Sequence, residues 1–122
     1  MRDYHELKVW QNAHQLTLLV YEITREFHRD ERFGLTDQLR RSAASIAANL
    51  AEACGRGGND FGRFCQIAMG SACETEYHLE LSRDLGLMTA QNWERANALV
   101  ISTKRMLIGL LRTKQSADVA LR

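Results

Sequence analysis

The arginines of this chain form the one pattern whose residue type and spacing could do chemistry. Arg40 and Arg41 are adjacent, Arg25, Arg29 and Arg32 come just before them, and Arg56 and Arg63 flank a glycine-rich stretch. A guanidinium stays charged at any physiological pH and presents donors in a planar fork that fits phosphate oxygens. Clusters of them can therefore neutralise a nucleic-acid backbone. Asp30, Glu31, Asp37 and Asp60 lie among these arginines and dilute their charge. Local ion pairing is thus the first reading of each cluster and phosphate binding the second. On that second reading the binding residues are Arg40, Arg41, Arg56 and Arg63.

Other chemistries find less support. A di-iron site in a helical bundle needs a histidine three residues after a glutamate, so that both project inward one turn apart. No glutamate here has one; Glu74 and His78 are four apart, the spacing of a surface hydrogen bond. His5, His14 and His28 belong to no zinc-binding spacing. Cys54, Cys65 and Cys73 are odd in number, form no CxxC pair and read as packing residues. No histidine lies one turn from Cys65 or Cys73 to activate a thiol. The segment GRGGN, residues 55–59, opens a helix but follows no strand and leads to no Gly-Lys-Ser/Thr, so it is a turn and not a phosphate loop. No catalytic residue, cofactor or metal site is expected, and the protein is not expected to be an enzyme.

The elements that position these residues are helical. The chain has 122 residues, 45% of them hydrophobic and 25% charged, and no proline. That length suits one domain, and the missing proline favours helices over turn-rich β folds. Net charge is only +1, which gives no whole-molecule pull on nucleic acid. Residues 60–84 are acidic and residues 94–122 basic, an asymmetry that suits pairing between helices or subunits. No apolar run resembles a signal peptide or a membrane span, so a cytoplasmic protein with reduced cysteines and no membrane partner is expected.

In the segment LTDQLRRSAASIAANLAEAC, residues 35–54, Leu39, Ala43, Ile46, Leu50 and Ala53 share one stripe of a helix. A second stripe holds only Ala44, Ala47, Ala48 and Ala51, and predicts a close helix crossing. Thr36 or Asp37 is the expected N-cap and Gly55 the expected stop. A first helix is predicted over Tyr4–Phe27 from the seam Val9, Ala13, Leu16, Val20, Ile23 and Phe27. A third, capped by Asn59, carries the seam Phe61, Cys65, Ala68, Ala72, Thr75 and Leu79. A second seam on it, Phe64, Ile67, Ser71, His78, Leu81 and Leu85, implies two neighbours, and Gly70, Ser71 and Ala72 suggest a close crossing. A fourth, capped by Thr89, is expected to end near Arg112. Short links make sequential helices antiparallel. The fold class is all-α, an antiparallel up-down-up-down four-helix bundle over residues 1–112 with a frayed tail over 113–122. The two arginine-rich turns then fall at opposite ends. Trp10, Leu18, Leu19 and Tyr21 cannot all face one core, and they mark an expected interface with further copies of the chain.

The stretches YHELKVWQNA, FGLTDQLRRSAASIAANLAEA and FGRFCQIAMGSACETEYHL resemble the four-helix bundle protein family, also called the 23S rRNA intervening-sequence protein family. The resemblance runs from Tyr4 to about Leu111. Where the family usually has glycine after its NLAE element, this chain has Ala53, with Gly55 two positions on. The resemblance implies a bacterial four-helix bundle assembled as a homopentamer, and it is distantly similar to the accessory protein of diversity-generating retroelements. The function expected is that of an oligomeric binding or scaffold protein, accessory to a nucleic-acid process, with weak binding to RNA or DNA. The alternative is an adaptor that binds another protein and no nucleic acid.

Overall fold

The computed structural model describes residues 2–120, with side chains to Thr113. Four α-helices follow one another: α1, Lys8–Thr24; α2, Leu35–Arg56; α3, Gly58–Asp84; and α4, Ala90–Ala120. Each packs on its sequence neighbours and α4 closes the ring against α1, while among the described residues the backbones of the diagonal pairs stay apart. Ser42 meets Thr75 and Ser45 meets Ser71, so α2 and α3 run antiparallel. Thr17 reaching Ala43 and Arg40 reaching Thr24 make α1 and α2 antiparallel as well. Glu76 with Lys104 and Arg83 with Trp93 do so for α3 and α4. This is the expected all-α bundle.

The core follows the sequence stripes. Leu16, Leu39, Ile46, Leu50, Leu79 and Leu107 are fully buried, with Ala13, Ala43, Ala68, Ala72 and Ala96 between them. Two polar ties run through it. Thr75 Oγ1 donates to Ser42 Oγ at 2.9 Å between α2 and α3. Asn12 Nδ2 donates to Thr103 Oγ1 at 2.7 Å between α1 and α4. Each buried hydroxyl thereby has the partner that burial demands.

Helix ends depart from the expectations in instructive ways. Asp3 accepts from the His5 N–H at 3.0 Å and holds a 3-10 turn over Tyr4–Glu6, so α1 begins at Lys8 and not at Tyr4. It stops at Thr24, and a second 3-10 turn over Arg29–Glu31 leads to α2. Gly34, not Thr36 or Asp37, occupies the N-cap of α2; Asp37 instead sits in the first turn. Gly55 stays helical, and Gly57, at φ +63, ends α2 by donating its N–H to Ala53 at 2.9 Å. One residue joins α2 to α3, so Asn59 lies inside α3 and does not cap it. After α3, Gly86 at φ +73 donates to Arg83 and Leu87 donates to Ser82, closing a Schellman motif. Thr89 Oγ1 accepts from the Asn92 N–H at 3.1 Å and caps α4 as expected.

The alanine stripe is not the close crossing. Ala48 is exposed and Ala44, Ala47 and Ala51 only half-buried. Approach of α2 to α3 runs one stripe over, through Ser42, Ser45, Ser71 and Ala72. Gly70 points away from it, with nothing near the place a Cβ would occupy. The backbone of α4 continues as helix to Ala120, past Arg112. The tail expected over residues 113–122 ends on residues 121 and 122, which lie outside the described residues.

Candidate anion-binding site

The α1–α2 junction gathers arginine. The end of α1 supplies Thr24 and Arg25, the connecting turn Phe27, His28, Arg29 and Arg32, and the start of α2 Thr36 and Arg40. Together they line a pocket of about 230 Å³. Phe27 is buried and anchors the turn against the core. The chain is extended at His28 and wound again at Arg29–Glu31, so it is this turn, and not a helical repeat, that brings Arg25, Arg29 and Arg32 to the one pocket.

Arg40 is the most firmly held of the set. Its Nε donates to Thr24 Oγ1 at 2.8 Å, and its guanidinium carbon lies 4.6 Å from the Tyr21 ring centroid. The Thr24 hydroxyl in turn donates to the Val20 carbonyl at 2.7 Å. Arg32 stands over the neighbouring Phe33 ring at 5.2 Å. Among the described residues none of Arg25, Arg29, Arg32 and Arg40 is paired with a carboxylate. The acids of the turn lie outside the lining: Asp30 Oδ2 sits 3.4 Å from His28 Nδ1 instead. The first turn of α2 has no side-chain cap, and its positive end adds to the field. Four arginines that line one pocket, none of them in an ion pair among the described residues, favour an anion there.

The other sequence-selected arginines are neutralised. Arg41 Nε lies 2.9 Å from Asp37 Oδ2. Arg56 pairs with Glu52 at 2.9 Å and reaches Asp60 at 3.6 Å; the Glu52 hydrogen bond raises its pKa further. Arg63 also reaches Asp60 at 3.6 Å. Arg56 and Arg63 cover the Phe64 ring at 4.9 Å and 4.5 Å. Arg40 and Arg56 are about 24 Å apart along α2 at about 1.5 Å per residue. Of the four arginines selected from sequence, therefore, the structure brings only Arg40 into the unpaired cluster. Its pocket companions His28 and Thr36 carry no sequence signal, because only the turn geometry brings them there.

The expected self-association residues also separate. Leu18 is 52% exposed and Tyr21 42%. Trp10 is half-buried, stacked on His14 with ring centroids 5.0 Å apart and tilted against Tyr4. Leu19 is a correction: it is buried in the chain's own core, because three residues after Leu16 it shares that residue's stripe.

Among the described residues no three His, Cys, Asp or Glu side chains gather as a metal would require. No described helix is long and apolar enough to cross a membrane. No curated protein matches the chain. A crystal structure of a protein of unknown function from the S23 ribosomal protein family, from Bacteroides thetaiotaomicron VPI-5482, is similar to it at 27% identity and a TM-score of 0.78. The alignment covers 84% of this chain and 97% of that one. The model of the 23S rRNA-intervening sequence protein family matches residues 5–109, which include every residue of the arginine pocket, and the chain belongs to that family.

Proposed function

We propose that this protein is a non-enzymatic, self-associating helical scaffold, accessory to a nucleic-acid process, that holds phosphate groups at its α1–α2 end. The observation that carries this reading is the pocket lined by four arginines, none of them paired with a carboxylate among the described residues. Phosphate contacts there position a backbone and read no sequence. With a net charge of only +1, attraction is local and binding is weak. Self-association as a homopentamer, in the cytoplasm, belongs to the same proposal and is supported by the exposed Leu18 and Tyr21. Fluorescence anisotropy with mixed-sequence RNA and DNA over a salt series tests the binding. Affinity should fall steeply as salt rises, and no binding at low salt would remove this reading. Light scattering tests the assembly; a monomer mass at micromolar concentration would remove that part.

A second reading, an adaptor that binds protein alone, is favoured by a different observation. Ile67, Tyr77, Leu85 and Ile108 on α3, α4 and their link are also exposed, while Arg41, Arg56 and Arg63 are already neutralised. It takes the lead if the salt series shows no nucleic-acid binding.

A further inference from the structure

Phe33 is 87% exposed, the most exposed large apolar side chain among the described residues. It stands beside the arginine pocket, and Arg32 links the two: its guanidinium carbon lies 5.2 Å from the Phe33 ring centroid, and its side chain lines the pocket. Burial of a phenyl ring is ordinarily favourable, and this one is held out in water by a turn whose own Phe27 is buried. Adjacent residues thus offer a flat apolar face and a cationic pocket. Adjacent parts of a nucleotide, its base and its phosphate, need those two things.

We propose that the α1–α2 end takes single-stranded nucleic acid, with a base stacked on Phe33 and the neighbouring phosphate held by Arg25, Arg29, Arg32 and Arg40. This rests on the phosphate-binding reading above and narrows it. A duplex keeps its bases stacked inside and offers the pocket only phosphates, whereas a single strand can lay an unpaired base on an aromatic face. Stacking tolerates any base, because every base has a π-face, so the site discriminates strand state and not sequence. Arg32 over the same ring adds a cation to the stack.

The test compares a fluorescein-labelled single strand of about twelve thymidines with a duplex of the same length, at one salt concentration, on the full chain. The single strand should bind more tightly. Phe33→Ala should weaken it on the order of fivefold or more and leave the duplex affinity unchanged, while Phe33→Trp should retain or strengthen it. Equal affinity for the two probes, or a single-strand affinity unmoved by Phe33→Ala, overturns the proposal and leaves the phosphate-binding reading standing. Binding of neither probe at low salt overturns both. A Phe33→Ala chain that changes its oligomer mass on a sizing column but not its affinity makes the ring a subunit contact, and this too overturns the proposal.

Discussion

Arg40 lies across the face of Tyr21, its guanidinium carbon 4.6 Å from the ring centroid, while its Nε donates to Thr24 at 2.8 Å. One side chain of α2 is thereby fixed to two residues of α1, and a pocket cation is held in place before any anion arrives. The contact therefore serves the bundle as well as the site. Arg40→Ala should lower the unfolding free energy by about 1–2 kcal/mol, the sum expected of a cation–π contact and a partly buried hydrogen bond. It should also weaken nucleic-acid binding. Arg25→Ala, whose side chain has no partner among the described residues, should weaken binding at unchanged stability. Urea titrations beside anisotropy on both variants check the pair.

Unpaired and paired arginines should separate in a salt series. The double change Arg25→Ala with Arg29→Ala should weaken binding to all sequences alike. Each lost phosphate contact should reduce the magnitude of the slope of log affinity against log salt by roughly 0.7–0.9. The double change Arg56→Ala with Arg63→Ala removes cations already neutralised by Glu52 and Asp60, and should leave that slope in place.

Ala72→Leu should cost about 1–3 kcal/mol by overpacking, since Ala72 is fully buried on α3. Ala48→Leu should change stability by less than about 0.5 kcal/mol, because Ala48 is exposed on α2. Thermal melts of the two variants check the order. Equal destabilisation would mean that Ala48 is covered in the assembled protein.

Stability should fall on the alkaline side. Burial pushes the Cys65 thiol up to about 11 from its ordinary 9.0. The unfolded thiol ionises first, so the stabilisation is complete below about pH 9 and is lost as pH rises to 11, by about 2 kcal/mol at that point. Lys104, raised above its ordinary value by its hydrogen bond to Glu76, acts in the same direction. Denaturant midpoints between pH 8 and 11 should decline, and Cys65→Ala should decline less steeply, even from a lower start. Identical slopes would contradict the burial of that thiol.

Much of the bundle was legible in the sequence because apolar stripes at helical spacing have few other uses. The seam Cys65, Ala68, Ala72, Thr75 and Leu79 is buried as its spacing requires. The caps were harder. Gly55 and Gly57 both suit a helix stop, and only the Gly57 backbone at φ +63 decides between them. Alanine is small on a crossing and small on a surface, so Ala48 gave no hint of its exposure. The site was half legible. Arg40 stood out, but the ion pairs that remove Arg41, Arg56 and Arg63 depend on which rotamers meet Asp37, Glu52 and Asp60. The convergence of Arg25, Arg29 and Arg32 on Arg40 depends on a 3-10 turn at Arg29–Glu31 that no periodicity announces.

The most direct test of phosphate binding at the α1–α2 end is a map of amide shifts. A short single strand is titrated into isotopically labelled protein at low salt, and the perturbed amides are assigned. Shifts concentrated on Thr24 to Arg29, Arg32 to Gly34 and Thr36 to Arg40 are the predicted result. Shifts confined to the junction around Arg56, Arg63 and Phe64, or no shifts at all, would contradict it.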